Sequence, residues 1–143
     1  QALDLLGRKV VMDGGAGLKL LAARVQATIE RAGQDAPLAE SANALAAALQ
    51  RLGAATRSAW ATGVPEEALA NATPYLQAFG HVVLAWIWLE LALALAGRDD
   101  GFALGKRAAQ RYFFAYELPK VDAWLGVVAR REAVCREMRP EWF

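Results

Sequence analysis

The longest apolar run in the sequence, from Pro74 to Gly97, limits the folds open to this chain more than any other feature. Between Val82 and Ala96 it contains a single charged residue, Glu90. A helix that is apolar nearly all round has to be surrounded on every side, either by other helices or by lipid. We therefore expect residues 74–97 to form a central helix that the rest of the chain encloses.

A membrane span needs about 20 apolar residues, and this run approaches that length. His81 and Glu90 are nine residues apart in the sequence, which places them on opposite faces of a helix. An isolated span cannot shield both, and a charge in the middle of a membrane is costly. Arg98 is followed by Asp99 and Asp100, so basic residues do not mark one flank. We therefore expect a bundle helix and no membrane partner.

The composition of the 143 residues sets the broad class of the protein. The length suits one domain with a substantial core, and 56% of the residues are hydrophobic. The formal net charge is +1, whereas a nucleic-acid binder typically carries a basic stripe, so we expect no nucleic-acid partner. The single cysteine, Cys135, permits no internal disulfide and, with the lone His81, provides no zinc site. A reducing, cytoplasmic location is the expectation.

Helical periodicity accounts for the sequence before the central helix. Paired glycines at Gly14-Gly15 interrupt the pattern, as at a helix end, and Pro65 suits the first turn of a new helix. Residues 65–72 form either a separate turn or a kinked prefix to the central helix. The predicted stripes are Leu3, Leu6 and Val10; Leu18, Leu21, Ala22, Val25, Ile29 and Ala32; and, in a helix from Leu38 to Thr62, Ala42, Leu45, Leu49, Leu52, Thr56 and Ala59.

The sequence after the central helix predicts a turn and a divided last helix. Residues 97–101, Gly-Arg-Asp-Asp-Gly, have the composition of a turn, and Leu118-Pro119 should kink or divide the helix that follows. Short loops imply antiparallel neighbours. The predicted fold class is all-α, an up-and-down antiparallel helical bundle around the central helix. The apolar stripe of the last region is Ala109, Tyr112, Phe113 and Tyr116, followed by Val121, Trp124, Leu125, Val128 and Cys135.

Two polar side chains within the apolar run are candidates for chemistry. His81 titrates near neutral pH, but there is no second histidine to complete a metal or haem site, so we interpret it as structural. A buried Glu90 requires a partner or a raised pKa, and we expect an ion pair with Arg107 or Arg111. Di-iron carboxylate bundles need several glutamates and Glu-x-x-His pairs, which this sequence does not contain. No metal site is predicted.

The remaining candidates are also interpreted as structural. The Gly-rich segment at residues 13–17 follows a helix and contains no phosphate-binding motif, so it is expected to join two helices. Cys135 lies on the apolar stripe, where cysteine usually packs as a small hydrophobe. Trp142-Phe143 either folds back on this domain or anchors in another chain. The basic residues of the last region are interleaved with acids, as on a solvated helix face; they are Lys106, Arg107, Arg111, Arg130, Arg131, Arg136 and Arg139.

Several segments resemble flavin-dependent acyl-CoA dehydrogenases. Gln1-Ala2-Leu3-Asp4-Leu5-Leu6-Gly7-Arg8-Lys9-Val10 is similar to the segment that directly follows the Tyr-Glu-Gly-Thr motif of that family. Three further segments resemble the helical C-terminal extension of the branch that includes the 3-methylmercaptopropionyl-CoA dehydrogenases. They are Ala72-Thr73-Pro74-Tyr75-Leu76 with Phe79-Gly80, Tyr112-Phe113 with Glu117-Leu118-Pro119, and Arg136-Glu137-Met138-Arg139-Pro140-Glu141-Trp142-Phe143.

The resemblance implies a parent enzyme that removes two hydrogens from an acyl-CoA thioester, with FAD as the acceptor. The glutamate base and the FAD contacts of the family would lie upstream of Gln1, so no catalytic, cofactor-binding or metal-binding residue is expected in this chain, and the fragment alone is not expected to be an enzyme. Residues 1–13 would end the last helix of the dehydrogenase body. Residues 16–143 would form a single C-terminal helical bundle domain.

The resemblance leaves two roles open for this bundle, subunit packing in an oligomer and roofing of the acyl-CoA entrance. In both roles the partners would be the rest of the dehydrogenase chain and sister subunits. The alternative from another class is a free-standing helical adaptor that binds a partner helix in a groove. Because the chain starts at Gln1 and within a helical pattern, we expect a piece of a longer polypeptide.

Overall fold

The structure, a computed structural model that describes residues 1–143, is built of helices and contains no strand. Short π-helical segments at Leu5–Lys9 and Phe113–Glu117 continue the first and sixth helices. The all-α prediction is confirmed. The α-helices are α1 (Ala2–Asp4), α2 (Met12–Gly33), α3 (Ala39–Ala59), α4 (Pro65–Leu69), α5 (Ala72–Ala94), α6 (Gly101–Tyr112), α7 (Lys120–Ala129) and α8 (Val134–Glu137).

Contacts between the long helices fix their directions. Thr28, in the second half of α2, contacts Trp86 in the second half of α5, so these two helices run the same way. Tyr75 near the start of α5 contacts Thr56 near the end of α3, which therefore runs in the opposite direction. Gln110 on α6 donates to Ser41 near the start of α3, and Asp122 on α7 pairs with Arg51 further along α3. The region from α6 to α7 therefore runs in the same direction as α3. The predicted up-and-down antiparallel bundle is confirmed.

The core is centred on one face of α5, which we call the inner face. Large and small side chains alternate there at three- and four-residue steps, and each is at most 6% exposed. Such a heptad pattern lets neighbouring helices interdigitate along a shared seam. Alanine at every second position allows α3 and α7 to approach α5 closely. The inner face consists of Tyr75, Ala78, Val82, Ala85, Leu89 and Ala92.

Tyr75 is the largest fully buried side chain of this core. Its Oη lies 2.7 Å from Thr56 Oγ1. Because the Thr56 hydroxyl donates to the carbonyl of Leu52 at 2.8 Å, Tyr75 is the donor in the first bond. Burial raises the pKa of Tyr75 to about 12. The phenol is therefore a neutral, satisfied hydrogen-bond donor within an otherwise apolar core.

The expectation that the central helix is enclosed on every side is wrong. Opposite the inner face, Leu84 and Ile87 are each 45% exposed and Leu91 is 41% exposed. This side of α5 is left uncovered because a bundle this small has too few helices to surround one of them. By length and composition, α5 is the one helix that could cross a membrane, although its inner face is packed in the bundle.

The apolar stripe predicted for α6 is only partly a core stripe, because Phe113 packs against the core whereas the two tyrosines do not. Tyr112 and Tyr116 stack on one another with ring centroids 4.8 Å apart, and they are 57% and 65% exposed. The buried side of α6 is occupied by Ala103 and Gln110. The prediction failed because tyrosine was counted as core, whereas the helix buries its small residue and a hydrogen-bonded amide.

The joints between helices agree with the glycine and proline signals. Asp13, Gly14 and Gly15 all have left-handed backbone angles, with φ of 51°, 64° and 79°, so they separate the N-terminal turns from the rest of α2. Pro65–Leu69 is a separate short helix, which resolves the alternative left open for residues 65–72. Leu118-Pro119 separates the π-helical end of α6 from α7, as predicted.

Candidate functional site

His81 lies in a polar network that joins α5 to the end of α6. Its Nδ1 is 3.0 Å from the carbonyl of Gln77, and its Nε2 is 3.4 Å from Glu117 Oε2. Lys120 Nζ donates to both oxygens of Glu117, at 2.8 and 2.7 Å. This bond from Lys120, with a smaller contribution from His81, lowers the pKa of Glu117.

The ring of His81 also packs against the aromatic rings of the last helical region. Its centroid lies 4.7 Å from that of Trp124, edge to face, and 5.7 Å from that of Phe113. Both ring nitrogens already face protein oxygens. No group of three potential metal ligands occurs here or elsewhere in the chain. The contacts of His81 therefore connect α5 to the end of α6 and to α7.

Glu90 has a different partner from the predicted one. Its carboxylate binds Arg31 and Thr28, both on α2, so the expected pair with Arg107 or Arg111 is wrong. Thr28 is buried and also accepts a hydrogen bond from Trp86 Nε1 at 2.8 Å. Since His81 faces the last helical region, Glu90, on the opposite side of α5, faces α2. The pair is half exposed, and it contributes accordingly little to stability.

Arg107 instead caps the end of α5. Its guanidinium donates to the carbonyls of Leu95, at 2.9 Å, and Arg98. Leu95 follows the last turn of α5 and Arg98 lies in the turn beyond it, and a positive charge is favourable at this end of a helix. The side chain is occupied in this way, and Asp99 lies 3.3 Å away. Arg107 is thus held by its own domain.

The C-terminal segment is attached to the bundle through polar contacts. Arg131 donates to the carbonyl of Ser58 at 2.7 Å, and the side chain of Asn71 donates to the carbonyl of Glu132 at 2.9 Å. Arg131 and Arg136 also approach the carboxylate of Glu67, at 3.9 and 3.6 Å. A hydrogen bond from Thr62, with help from Arg136 and Arg131, lowers the pKa of Glu67.

Beyond these contacts, the side chains of Cys135, Trp142 and Phe143 are exposed. Cys135 is exposed on α8, so its placement on a buried stripe is wrong. The stripe ends because the chain leaves the helical register at Arg131, where φ is 52°. Trp142 is 59% and Phe143 93% exposed. Of the two alternatives for this aromatic end, folding back on the domain does not occur in the structure.

An open groove runs between α3 and α7. Its largest section has a volume of about 430 Å³, and a neighbouring section of about 180 Å³ continues it towards the end of α6. An ion pair between Arg51 and Asp122 crosses the groove where the two sections meet. The groove exists because both helices place small residues along it, namely Ala47, Ala48, Ala54, Ala55, Ser58, Gly126 and Ala129.

A second surface feature, which we call the outer apolar face, consists of two strips on α5 and α6. The two helices pack side by side, and His81 on α5 contacts Phe113 in the π-helical continuation of α6. Neither strip contains a charged residue. The sequence analysis expected the apolar run of α5 to be enclosed on every side, and it placed Ala109, Tyr112 and Tyr116 of α6 on an apolar stripe. The α5 strip is Gly80, Leu84, Ile87, Leu91 and Ala94, and the α6 strip is Phe102, Gly105, Ala109, Tyr112 and Tyr116.

The contacts of His81 with Glu117 were missed in the sequence, although a signal for them exists. An antiparallel pair of helices joined at a turn brings together residues equidistant from that turn. His81 and Glu117 lie at equal distances from Asp99, in the turn between α5 and α6. By the same rule His81 faces α6. Because Glu90 lies on the opposite face of α5, an ion pair between Glu90 and a residue of α6 could have been excluded from the sequence.

Comparison with protein families gives one match. Residues 21–139 match the family described as acetyl-CoA dehydrogenase C-terminal like. The chain belongs to this family. The match begins at Leu21, within α2, and continues past the end of α8. No curated protein matches the sequence. The chain is thus a C-terminal helical domain of the acyl-CoA dehydrogenase type.

Proposed function

We propose that this chain serves a flavin-dependent acyl-CoA dehydrogenase as a non-catalytic domain for subunit packing. The observation that carries the proposal is the family match over residues 21–139. Under this proposal the parent enzyme oxidises an acyl-CoA thioester with FAD, is oligomeric and cytoplasmic, and belongs to the 3-methylmercaptopropionyl-CoA dehydrogenase-like branch. Residues 1–13 are the end of the last helix of the dehydrogenase body.

The polar networks of the chain support a role without chemistry of its own. A general base needs a free position within hydrogen-bond reach of its substrate. His81 is flanked by Gln77 and Glu117, and Glu90 is bound by Thr28 and Arg31. Both networks join helices of the bundle. The glutamate base and the FAD contacts are therefore assigned to the part of the enzyme upstream of Gln1.

Packing is favoured over roofing of the acyl-CoA entrance. A roof would use basic side chains for the phosphates of coenzyme A, and one of the basic side chains after α5 is Arg107. That side chain is committed to the carbonyls at the end of α5. By contrast, the outer apolar face presents large side chains such as Ile87 and Tyr112 to solvent, at 45% and 57% exposure. A large exposed apolar patch is typical of an interaction site.

The groove between α3 and α7 favours a second candidate, an adaptor that binds a helix of another protein. Its section of about 430 Å³ is lined by small side chains, which leave room for the apolar side chains of an incoming helix. In this role no flavin chemistry is connected with the natural polypeptide. The two candidates therefore differ in a property that is simple to measure.

The test compares the natural polypeptide that contains residues 1–143 with a variant that lacks residues 16–143. We expect the natural polypeptide to show the absorption of oxidised flavin and to lose it when an acyl-CoA is added without oxygen. The truncated variant should keep the flavin but change its assembly state in sedimentation velocity. An increased KM for acyl-CoA at an unchanged assembly state would contradict packing and support the roof. A polypeptide without flavin would overturn the dehydrogenase assignment and support the adaptor.

A further inference from the structure

We infer that the N-terminal helix, which consists of α1 and its π-helical continuation to Lys9, is shared by two cores and fixes the bundle to the dehydrogenase body. Its downstream half packs in the bundle, and its upstream end presents apolar surface to the body. This inference names the surface through which the bundle meets the body, and it rests on the proposed function. It is carried by the burial along the helix, its contacts with two neighbouring helices and the charges on its outer side.

The apolar stripe of the N-terminal helix is only partly covered by the bundle. Leu6 is completely buried, and Val10, which directly follows the helix, is 5% exposed. Leu3 lies on the same stripe, yet it is 61% exposed. Helical bonding includes Gln1, whose carbonyl accepts from the N–H of Leu5 at 2.9 Å. The stripe therefore runs past the edge of the bundle, towards the part of the enzyme that the proposed function places before this chain.

A side chain at the end of α3 fixes the position of the N-terminal helix. Trp60 directly follows α3, and its Nε1 donates to the carbonyl of Leu6 at 3.1 Å. In an α-helix this carbonyl would accept from the N–H of Val10. Here that N–H bonds to the carbonyl of Leu5 at 3.1 Å, one residue further back. The π-helical turn thus frees the acceptor that Trp60 uses, and such turns are frequent at functional positions.

A second contact holds the N-terminal helix close to α4. A Cβ atom at Gly7 would lie 3.2 Å from Cδ2 and 3.5 Å from Cδ1 of Leu69, and the first of these distances is shorter than the optimal separation of carbon atoms. A larger side chain at Gly7 therefore pushes the helix away from α4. Because α3 and α4 hold the helix at two points, it does not turn relative to the bundle without loss of one contact.

The outer side of the N-terminal helix is polar. Asp4 and Arg8 form an ion pair there at 2.6 Å, and their side chains are 45% and 59% exposed. Covering such a pair with another domain would remove both charges from water, which is unfavourable. The body therefore meets the bundle at the upstream end of the helix, around Leu3, and not along its side. With so narrow a contact, the helix itself sets the angle between the bundle and the body.

The first test is limited trypsin digestion of the natural polypeptide that contains this chain. Trypsin cleaves after Arg8 or Lys9 when the helix leaves the bundle, and intact mass identifies the released fragment. Gly7→Leu should raise the rate of this cleavage about tenfold or more, because overpacking against Leu69 favours the open state. Gly33→Leu is the matched control, since Gly33 is exposed and a Cβ atom there meets nothing within 4 Å, and it should leave the rate unchanged.

Trp60→Phe is a milder change at the second contact. It removes the N–H that binds the carbonyl of Leu6 and keeps an aromatic ring, so the cleavage rate should rise roughly tenfold. Far-UV circular dichroism establishes that all variants are folded. Cleavage as slow as in the wild type for both Gly7→Leu and Trp60→Phe would overturn the inference, because these contacts would then not hold the helix on the bundle.

The second test asks whether the helix joins two cores. Differential scanning calorimetry counts the unfolding transitions of the natural polypeptide, and flavin fluorescence identifies the transition of the body. We expect one transition in the wild type, at which the flavin is released, and two in Gly7→Leu. Two separate transitions in a wild type that contains flavin would overturn the inference and leave the proposed function intact. A polypeptide without flavin would overturn both.

Discussion

The inner face and the α5 strip belong to the same helix, and both are free of charge, yet only one is in the core. Leu89 on the inner face is fully buried, whereas Leu84 on the strip is 45% exposed. The difference is in the size pattern. The inner face alternates large and small side chains at heptad spacing, which helices of the same chain can pack against. The strip has large side chains at its centre and small ones at its ends, which suits a contact with another surface.

This comparison shows that hydrophobicity alone does not distinguish a core from an interface. Cores and interfaces both bury apolar area, and in both the apolar residues recur every three or four positions along one face of a helix. The surroundings of each face differ more clearly. On the inner face the polar atoms, such as Tyr75 Oη, are bonded within the bundle. On the α6 strip the hydroxyls of Tyr112 and Tyr116 belong to rings that are more than half exposed.

The largest expected effect separates the two faces directly. Leu89→Ala should lower the free energy of unfolding by about 2–5 kcal/mol, because it leaves a cavity in the core that the neighbouring side chains fill only in part. Leu84→Ala, the matched change on the strip, should cost less than about 1 kcal/mol in the monomer. Chemical denaturation at low protein concentration measures both. Equal losses for the two variants would contradict the difference between the faces.

A smaller effect distinguishes the tyrosines of the two regions by pH. The pKa of Tyr75 is raised to about 12, whereas an unfolded tyrosine titrates near 10. Below pH 10 the phenol is neutral in both states and its contribution to stability is complete. Between pH 10 and 12 the unfolded state loses the proton first, so the free energy of unfolding falls by about 1.4 kcal/mol per pH unit.

The measurement is the difference in unfolding free energy between the wild type and Tyr75→Phe as the pH rises through this window. The unfolding free energy of Tyr75→Phe should lack the part of the decline that is due to ionisation of Tyr75. The difference between the wild type and the variant therefore shows that part. Tyr112→Phe is the control on the outer apolar face, where the ring is more than half exposed, and it should decline like the wild type. A decline of the same size in Tyr75→Phe as in the wild type would refute the assignment.

The smallest effect concerns the side of α5 that packs on α2. Thr28→Val removes the acceptor of the buried hydrogen bond from Trp86, and we expect a loss of about 1–3 kcal/mol. Arg31→Gln removes only a half-exposed partner of Glu90 and should cost less than about 1 kcal/mol. Thermal unfolding of both variants decides their order. A larger loss for Arg31→Gln would show that the ion pair, and not the buried hydroxyl, joins these helices.

Much of the fold could be predicted from the sequence. Glycine and proline signals located the joint at Gly14-Gly15, the start at Pro65 and the division at Pro119, because these residues act on the backbone locally. The stripe of α3 was also correct at Leu45, Leu52 and Ala59. The candidate residues were less predictable. The partner of Glu90 was expected on the nearest helix in sequence, whereas which helices flank α5 depends on the packing of the whole bundle.

By itself, the sequence determined the fold class, the order and direction of the helices and the likeness to the acyl-CoA dehydrogenase family, since these depend on local periodicity, turn residues and motif order. Only the tertiary structure decided which apolar faces are covered. Periodicity gives a face its direction relative to the helix axis, but burial depends on how many neighbours can fit around that axis. In a bundle of this size the outer apolar face receives none from its own chain, and Ile87, Tyr112 and Tyr116 are left exposed to solvent.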